Sequence, residues 1–132
     1  MNAGLDTSVV LRLLTGTPEH LAQCALHEVQ RRIDAGGKLL VSDLVVTEVY
    51  FALQHHYGMP KHEALTLLAG FLRHKGIETI GTVVAVLATP NLATANPGFV
   101  DRLIHAEYCN HTSEILTFEK AAGRLPGVRV LK

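Results

Sequence analysis

Four carboxylates of this chain fall where acids can do chemistry: Asp6, Glu48, Asp101 and Glu119. Asp6 stands in "NAGLDTSVVLRLL", directly after a short apolar run and directly before two hydroxyl residues, Thr7 and Ser8. Glu48 stands in "SDLVVTEVYFALQ"; its neighbours at helical spacing, Leu44, Val45, Phe51 and Ala52, are all apolar. That spacing puts Glu48 on a buried stripe, where a carboxylate is costly unless it is paired, protonated or bound to metal. Asp101, in "NPGFVDRLIHAEY", sits near a helix start, where the helix dipole favours negative charge. Glu119 follows the apolar run "ILTF". Oxygen-rich sets of this kind suit hard cations, Mg²⁺ or Mn²⁺. Such a cation activates water and offsets charge on a phosphate in transfer, and a pair of them about 3.5–4 Å apart does both at once. Without metal the acids repel and titrate as a coupled set.

Each acid also has a plainer reading. Asp6 can serve only to cap the first helix, Glu48 can reach water from the edge of its stripe, Asp101 can pair with the adjacent Arg102, and Glu119 can be a solvated first-turn acid. Thr7 and Ser8 either cap a helix or donate to an acid or to water held by a cation. Arg12, Arg102, Lys120 and Arg124 lie close to the acids in sequence. They are candidate RNA phosphate contacts, Arg12 and Arg102 foremost, or ordinary helix-surface charge.

The elements that must position these groups are legible from period and punctuation. Ala3 to Leu5 reads as a first strand, and Thr7 or Ser8 as the cap of a helix through Val9, Leu13 and Leu14 that Gly16 ends. Thr17-Pro18 restarts a helix with Pro18 in the first helical position, carried by Leu21, Ala25, Val29 and Ile33 and stopped at Gly36-Gly37. Leu39 to Val41 reads as a strand, and Ser42 or Asp43 caps a helix running to about Tyr57. Gly58 and Pro60 break it; Ala64, Leu65, Leu68, Phe71 and Leu72 mark the next helix, with Arg73 to Lys75 complementing its C-terminal end and Gly76 closing it. Ile77 to Ile80 is a strand, a helical segment runs from Thr82 to Pro90, and Asn96-Pro97 repeats the cap-plus-proline start for a helix through Leu103, Ile104 and Ala106. Ile115 to Phe118 and Val128 to Leu131 are the last strands, with a short helix between them. This alternation predicts an α/β layer with a mostly parallel sheet, at whose carboxyl edge ligands gather.

With 132 residues, 48% hydrophobic and 18% charged, the chain is long and apolar enough for one compact domain with a real core. A formal net charge of +0 means that affinity for nucleic acid must come from a local patch. Two cysteines, Cys24 and Cys109, are too few for a disulfide framework and read as reduced thiols. The start of the chain has no basic region followed by a long apolar run, and the apolar stretch Val83 to Ala88 is far short of the ~20 residues of a membrane span, so a cytoplasmic protein without membrane contact is expected. The eight histidines lack zinc spacing and read as surface or helix-end residues. There is no glycine-rich dinucleotide loop and no Walker loop.

The stretches "LDTSVVLRLL", "VSDLVVTEVYFAL", "FVDRLIHAEY" and "ILTFEKAAGRLPGVRVL" resemble, in order and spacing and over nearly the whole chain, PIN-domain proteins and within them the VapC-type ribonuclease toxins. The resemblance implies a single PIN domain over residues 1–132, a three-layer fold whose mostly parallel central sheet of about five strands is flanked by helices. It implies Mg²⁺- or Mn²⁺-dependent endonucleolytic hydrolysis of RNA by an activated water. Asp6, Glu48 and Asp101 would be the core metal-binding acids, with Glu119 assisting, and Thr117 and Glu119 occupy the place of a final T-x-D motif. Position 119 departs from that motif by carrying Glu, and Pro90 with the Asn91 to Asn96 stretch is unusual before the third acid. Thr7, Ser8 and Thr117 would support the acids through their hydroxyls. A VapB-type antitoxin and a homodimer are the partners implied. The alternatives are a non-catalytic member of the fold that binds RNA or a partner, and a metal-dependent phosphatase acting on small esters.

Overall fold

The structure, a computed structural model, describes residues 2–132. It is a mixed α/β protein whose strands all pair in parallel. The chain divides into two compact units, Met1–Ile80 and Gly81–Lys132.

The first unit runs β1 (Ala3–Gly4), α1 (Thr7–Thr15), α2 (Glu19–Asp34), β2 (Leu39–Ser42), α3 (Asp43–His55), α4 (Lys61–Leu72) and β3 (Ile77–Ile80). The strands lie in the order β1-β2-β3, with Ala3 opposite Leu39 and Leu39 opposite Ile77. Each crossover between neighbouring strands is a pair of helices, which supplies the long connection a parallel pairing needs. Val41 on the central strand and Val49, Leu53 and Leu68 on the helices are fully buried, with Val10, Leu39 and Val46 almost so.

The second unit runs α5 (Val83–Leu87), a 3₁₀ turn at Leu92–Thr94, α6 (Phe99–Cys109), β4 (Ile115–Thr117), a 3₁₀ turn at Lys120–Arg124 and β5 (Val128–Val130). Its two strands pair with each other, Ile115 opposite Val128. Val83, Val86, Leu92, Phe99 and Leu103 form its apolar core. The five strands expected in one sheet therefore form hydrogen-bonded ladders of three and two. The strands of three residues in β4 and β5 carry no period signal that says which ladder they join.

Local chemistry explains most boundaries, and three caps differ from expectation. The N-cap of α1 is Asp6, in extended backbone, and Thr7 is its first helical residue, so neither Thr7 nor Ser8 is the cap. Pro18 is the N-cap of α2 and not its first helical residue. Asn96-Pro97 precedes the N-cap of α6, which is Gly98. α1 thus begins one or two residues earlier than its hydroxyl signal suggested, and α2 and α6 begin one and two residues later than their proline signals; tertiary packing decides such ends within a turn. The Ser42 cap is present: its Oγ accepts from the Val45 N–H at 3.3 Å, satisfying one of the free donors of α3. α1 ends at Gly16, in left-handed backbone with its N–H bonded to the Arg12 carbonyl at 2.9 Å.

Gly76 is required twice over. Its φ is +86°, and a Cβ there would meet Ile33 Cγ1 at 2.7 Å. Gly76→Ala is expected to lower the unfolding free energy by about 1–3 kcal/mol, seen as a lower urea midpoint. Burial holds the Tyr50 hydroxyl above its ordinary value of 10.0. A group raised in the folded state supports folding below its unfolded pKa and loses that support as pH climbs toward the folded one. Stability is therefore expected to fall above about pH 10. Tyr50→Phe should shift the alkaline unfolding midpoint upward; an unchanged midpoint would contradict the account.

Candidate functional site

In the first unit the chain passes from the carboxyl end of β1 through Leu5 into Asp6 and α1, and from the carboxyl end of β2 into α3. Parallel pairing of β1 with β2 brings these two helix starts to one sheet edge. Thr7 Oγ1 donates to Glu48 Oε1 at 3.3 Å, a contact spanning 41 positions in sequence. Ser8 Oγ donates to Asp6 Oδ2 at 3.5 Å, a long and weak bond. The two adjacent hydroxyls thus attend the two acids, and the first turn of α1 is common ground for Asp6 and Glu48. The Asp6 carboxylate makes no cap hydrogen bond to the backbone of α1.

Glu48 is exposed, as is Asp6. The expectation that Glu48 lies on the buried stripe of its helix is overturned. The buried stripe of α3 is Val46, Val49, Tyr50 and Leu53, while Leu44 is 78% exposed and Phe51 44%. The helix is apolar on nearly every side, so its sequence presents two apolar stripes, and packing against α1, α4 and β2 selects the one that excludes Glu48. Asp43, in sequence only an alternative to Ser42 as cap, opens α3 at this same edge and is half-buried. Its signal was its place directly after a strand, the same one that singled out Asp6.

In the second unit Asp101, Thr117 and Glu119 all line a cavity of about 160 Å³. Asp101 is in the first turn of α6, exposed. The Glu119 N–H donates to Thr117 Oγ1 at 3.0 Å, which fixes the tight Thr117-Phe118-Glu119 turn at the end of β4. Glu119 then caps the 3₁₀ turn that follows. His105 lines the same cavity, and its Nε2–H donates to the Pro126 carbonyl at 2.7 Å. Apolar groups, among them Ile104, Ile115 and Leu125, complete the wall.

The basic residues are disposed as follows. Arg102 Nε donates to the Pro97 carbonyl at 2.8 Å, and among the described residues no ion pair joins Arg102 to Asp101. Arg124 donates to the Asn96 carbonyl at 3.0 Å, and Lys120 is exposed. Arg12 is half-buried in α1. Cys24 and Cys109 are free and exposed. Of the eight histidines, His105 is half-buried and the rest are exposed.

The donors around Asp6 and Glu48 are carboxylate and hydroxyl oxygens, a set that fits Mg²⁺ or Mn²⁺ and not a soft metal. Among the described residues, no group of three His, Cys, Asp or Glu side chains is arranged to hold a metal ion; Mg²⁺ is commonly held through one or two carboxylates with water completing its shell. No helix among the described residues is long and apolar enough to cross a membrane.

No family model, no curated protein and no solved structure matches the chain.

Thr117→Val should leave the Glu119 amide without its acceptor. Hydrogen exchange at that amide is expected to quicken, with a stability loss of about 0.5–1.5 kcal/mol. Exchange at the wild-type rate would mean that the hydroxyl does not hold the turn.

Proposed function

We propose that this protein is a Mg²⁺- or Mn²⁺-dependent endoribonuclease of the PIN-domain type, acting as the toxin of a toxin–antitoxin pair. The observation that carries the reading is the first turn of α1, where Thr7 and Ser8 attend Glu48 and Asp6 at the carboxyl edge of a parallel sheet. This is the edge where open α/β sheets place their ligands. The four sequence motifs with their acids in order add to it.

In this reading Asp6 and Glu48 hold the cation, Asp101 is a further metal-binding acid, and Glu119 assists. The cation, when bound, supplies an activated water and offsets charge on the scissile phosphate. Thr7 and Ser8 orient the carboxylates they touch, so that each offers an oxygen lone pair outward. Thr117 holds the backbone of Glu119, and the turn it closes fixes the root of a long side chain. RNA is the substrate, and the phosphate contacts fall to local cations such as Arg102, since the chain carries no net charge. A VapB-type antitoxin and a second copy of the chain are the proposed protein partners. The exposed Leu44 and Phe51 on α3 support a macromolecular partner of some kind.

The test is cleavage of structured RNA by the purified chain with and without Mn²⁺. Cleavage should require the metal and fall about a hundredfold or more in Asp6→Asn, Glu48→Gln and Asp101→Asn. Calorimetric titration with Mn²⁺ should lose its heat in Glu48→Gln while the circular dichroism stays unchanged. RNA binding without cleavage in every metal would establish the non-catalytic alternative. Hydrolysis of a nucleotide ester with RNA left intact would establish the phosphatase.

A further inference from the structure

We propose that the first unit carries a binding site for a small amphipathic carboxylate, in the cleft between β1, α1 and α2. The cleft has a volume of about 470 Å³, within the range of small-molecule pockets. Val9, Leu21, Val29 and Leu39 line it, so its walls are mainly apolar. Three charged side chains reach it: Arg12, Arg32 and Glu28.

Their pairing decides the charge the cleft prefers. Glu28 Oε2 accepts from Arg31 and from Arg32, the latter at 2.8 Å, and these bonds hold its carboxyl below the usual range. Glu28 is therefore an anion already matched by cations on its own helix. Arg12 is different. It projects from α1, is half-buried, and among the described residues takes no ion pair and no side-chain hydrogen bond. A guanidinium withdrawn from water without a counter-charge favours the arrival of an anion. Its planar fork matches a carboxylate in particular. Arg12 and Arg32 against Glu28 leave one surplus positive charge in the lining, so the complement is a single carboxylate on an apolar body. None of the four acids lines the cleft, and although it shares Ser8 and Arg12 with the nuclease reading, its test requires neither metal nor RNA cleavage.

The cleft contains its own reporter. Cys24 lines it, whereas the other free thiol, Cys109, belongs to the second unit and does not. The probe is decanoate below its micellar concentration, with decan-1-ol as the uncharged match, and the readout is the rate of maleimide labelling at each cysteine of the full chain. Decanoate is expected to slow labelling of Cys24 at least about tenfold and to leave Cys109 unchanged, with decan-1-ol about tenfold weaker, the size of one charge-assisted contact. Arg12→Met should bring decanoate down to the level of the alcohol, and Arg12→Lys should restore part of the difference. Ala25→Phe, which fills the cleft from α2, should abolish protection while leaving the circular dichroism intact. Equal protection by acid and alcohol, protection that survives Ala25→Phe, or no protection at all would overturn the proposal. So would Cys24 labelling that slows with protein concentration alone, which would make a second copy of the chain the occupant.

Discussion

The parallel register of β1 on β2 is the constraint from which the candidate chemistry of the first unit descends. Ala3 lies opposite Leu39 and Gly4 opposite Leu40. The backbone N–H of Leu5 reaches the Leu40 carbonyl at 2.9 Å, one residue before Asp6. With β2 pinned on its other side by β3, from Leu39 with Ile77 to Ser42 with Ile80, the starts of α1 and α3 have fixed places along one edge. The Thr7 to Glu48 contact follows from that placement: a side chain in the second turn of α3 reaches the first turn of α1. A slip of one residue in a strand would turn each side chain to the opposite face, and Asp6 would leave its edge.

Most elements of the chain were legible because their punctuation is chemical. Ser42 names the start of α3 by accepting the Val45 N–H, and Gly16 and Gly76 stop elements where the backbone turns left-handed. What could not be read was which side of an element meets the core. α3 is written DLVVTEVYFALQH, and both the stripe through Val46, Val49 and Leu53 and the stripe through Leu44, Glu48 and Phe51 satisfy a helical period. Only contact with α1, α4 and β2 tells them apart, and that information is not local in the chain. The same limit applies to β4 and β5, whose three-residue lengths hide their pairing.

The candidate acids were singled out by position alone, and the residues that touch them were partly legible. Thr7 and Ser8 were ambiguous between capping and attending a carboxylate, because one hydroxyl can satisfy either partner. The backbone settles it: with Asp6 as the cap residue, the hydroxyls of Thr7 and Ser8 point to Glu48 and Asp6. Thr117 is a similar case on the second unit, where a single N–H to Oγ bond at 3.0 Å shapes the turn that presents Glu119. In the first unit the hydroxyls meet carboxylates directly, Thr7 that of Glu48 and Ser8 that of Asp6, whereas in the second Thr117 holds the backbone of Glu119 and leaves its carboxylate free of that bond.

β1 is only two residues long. Its attachment to β2 includes bonds from the Ala3 and Leu5 amides and an Asn2 side-chain acceptor for the Lys38 N–H at 3.1 Å. Its register on β2 covers two positions against four between β2 and β3, so this edge should cost less to open than the other side of β2, since local opening follows the number of bonds and buried contacts that must break. Asp6, as the cap of α1, is held besides by the packing of that helix on α2 and α3, so opening of β1 alone would leave the Thr7 to Glu48 contact in place. What keeps the two acids neighbours is then the seating of α1 on α3 more than the short ribbon that leads into it.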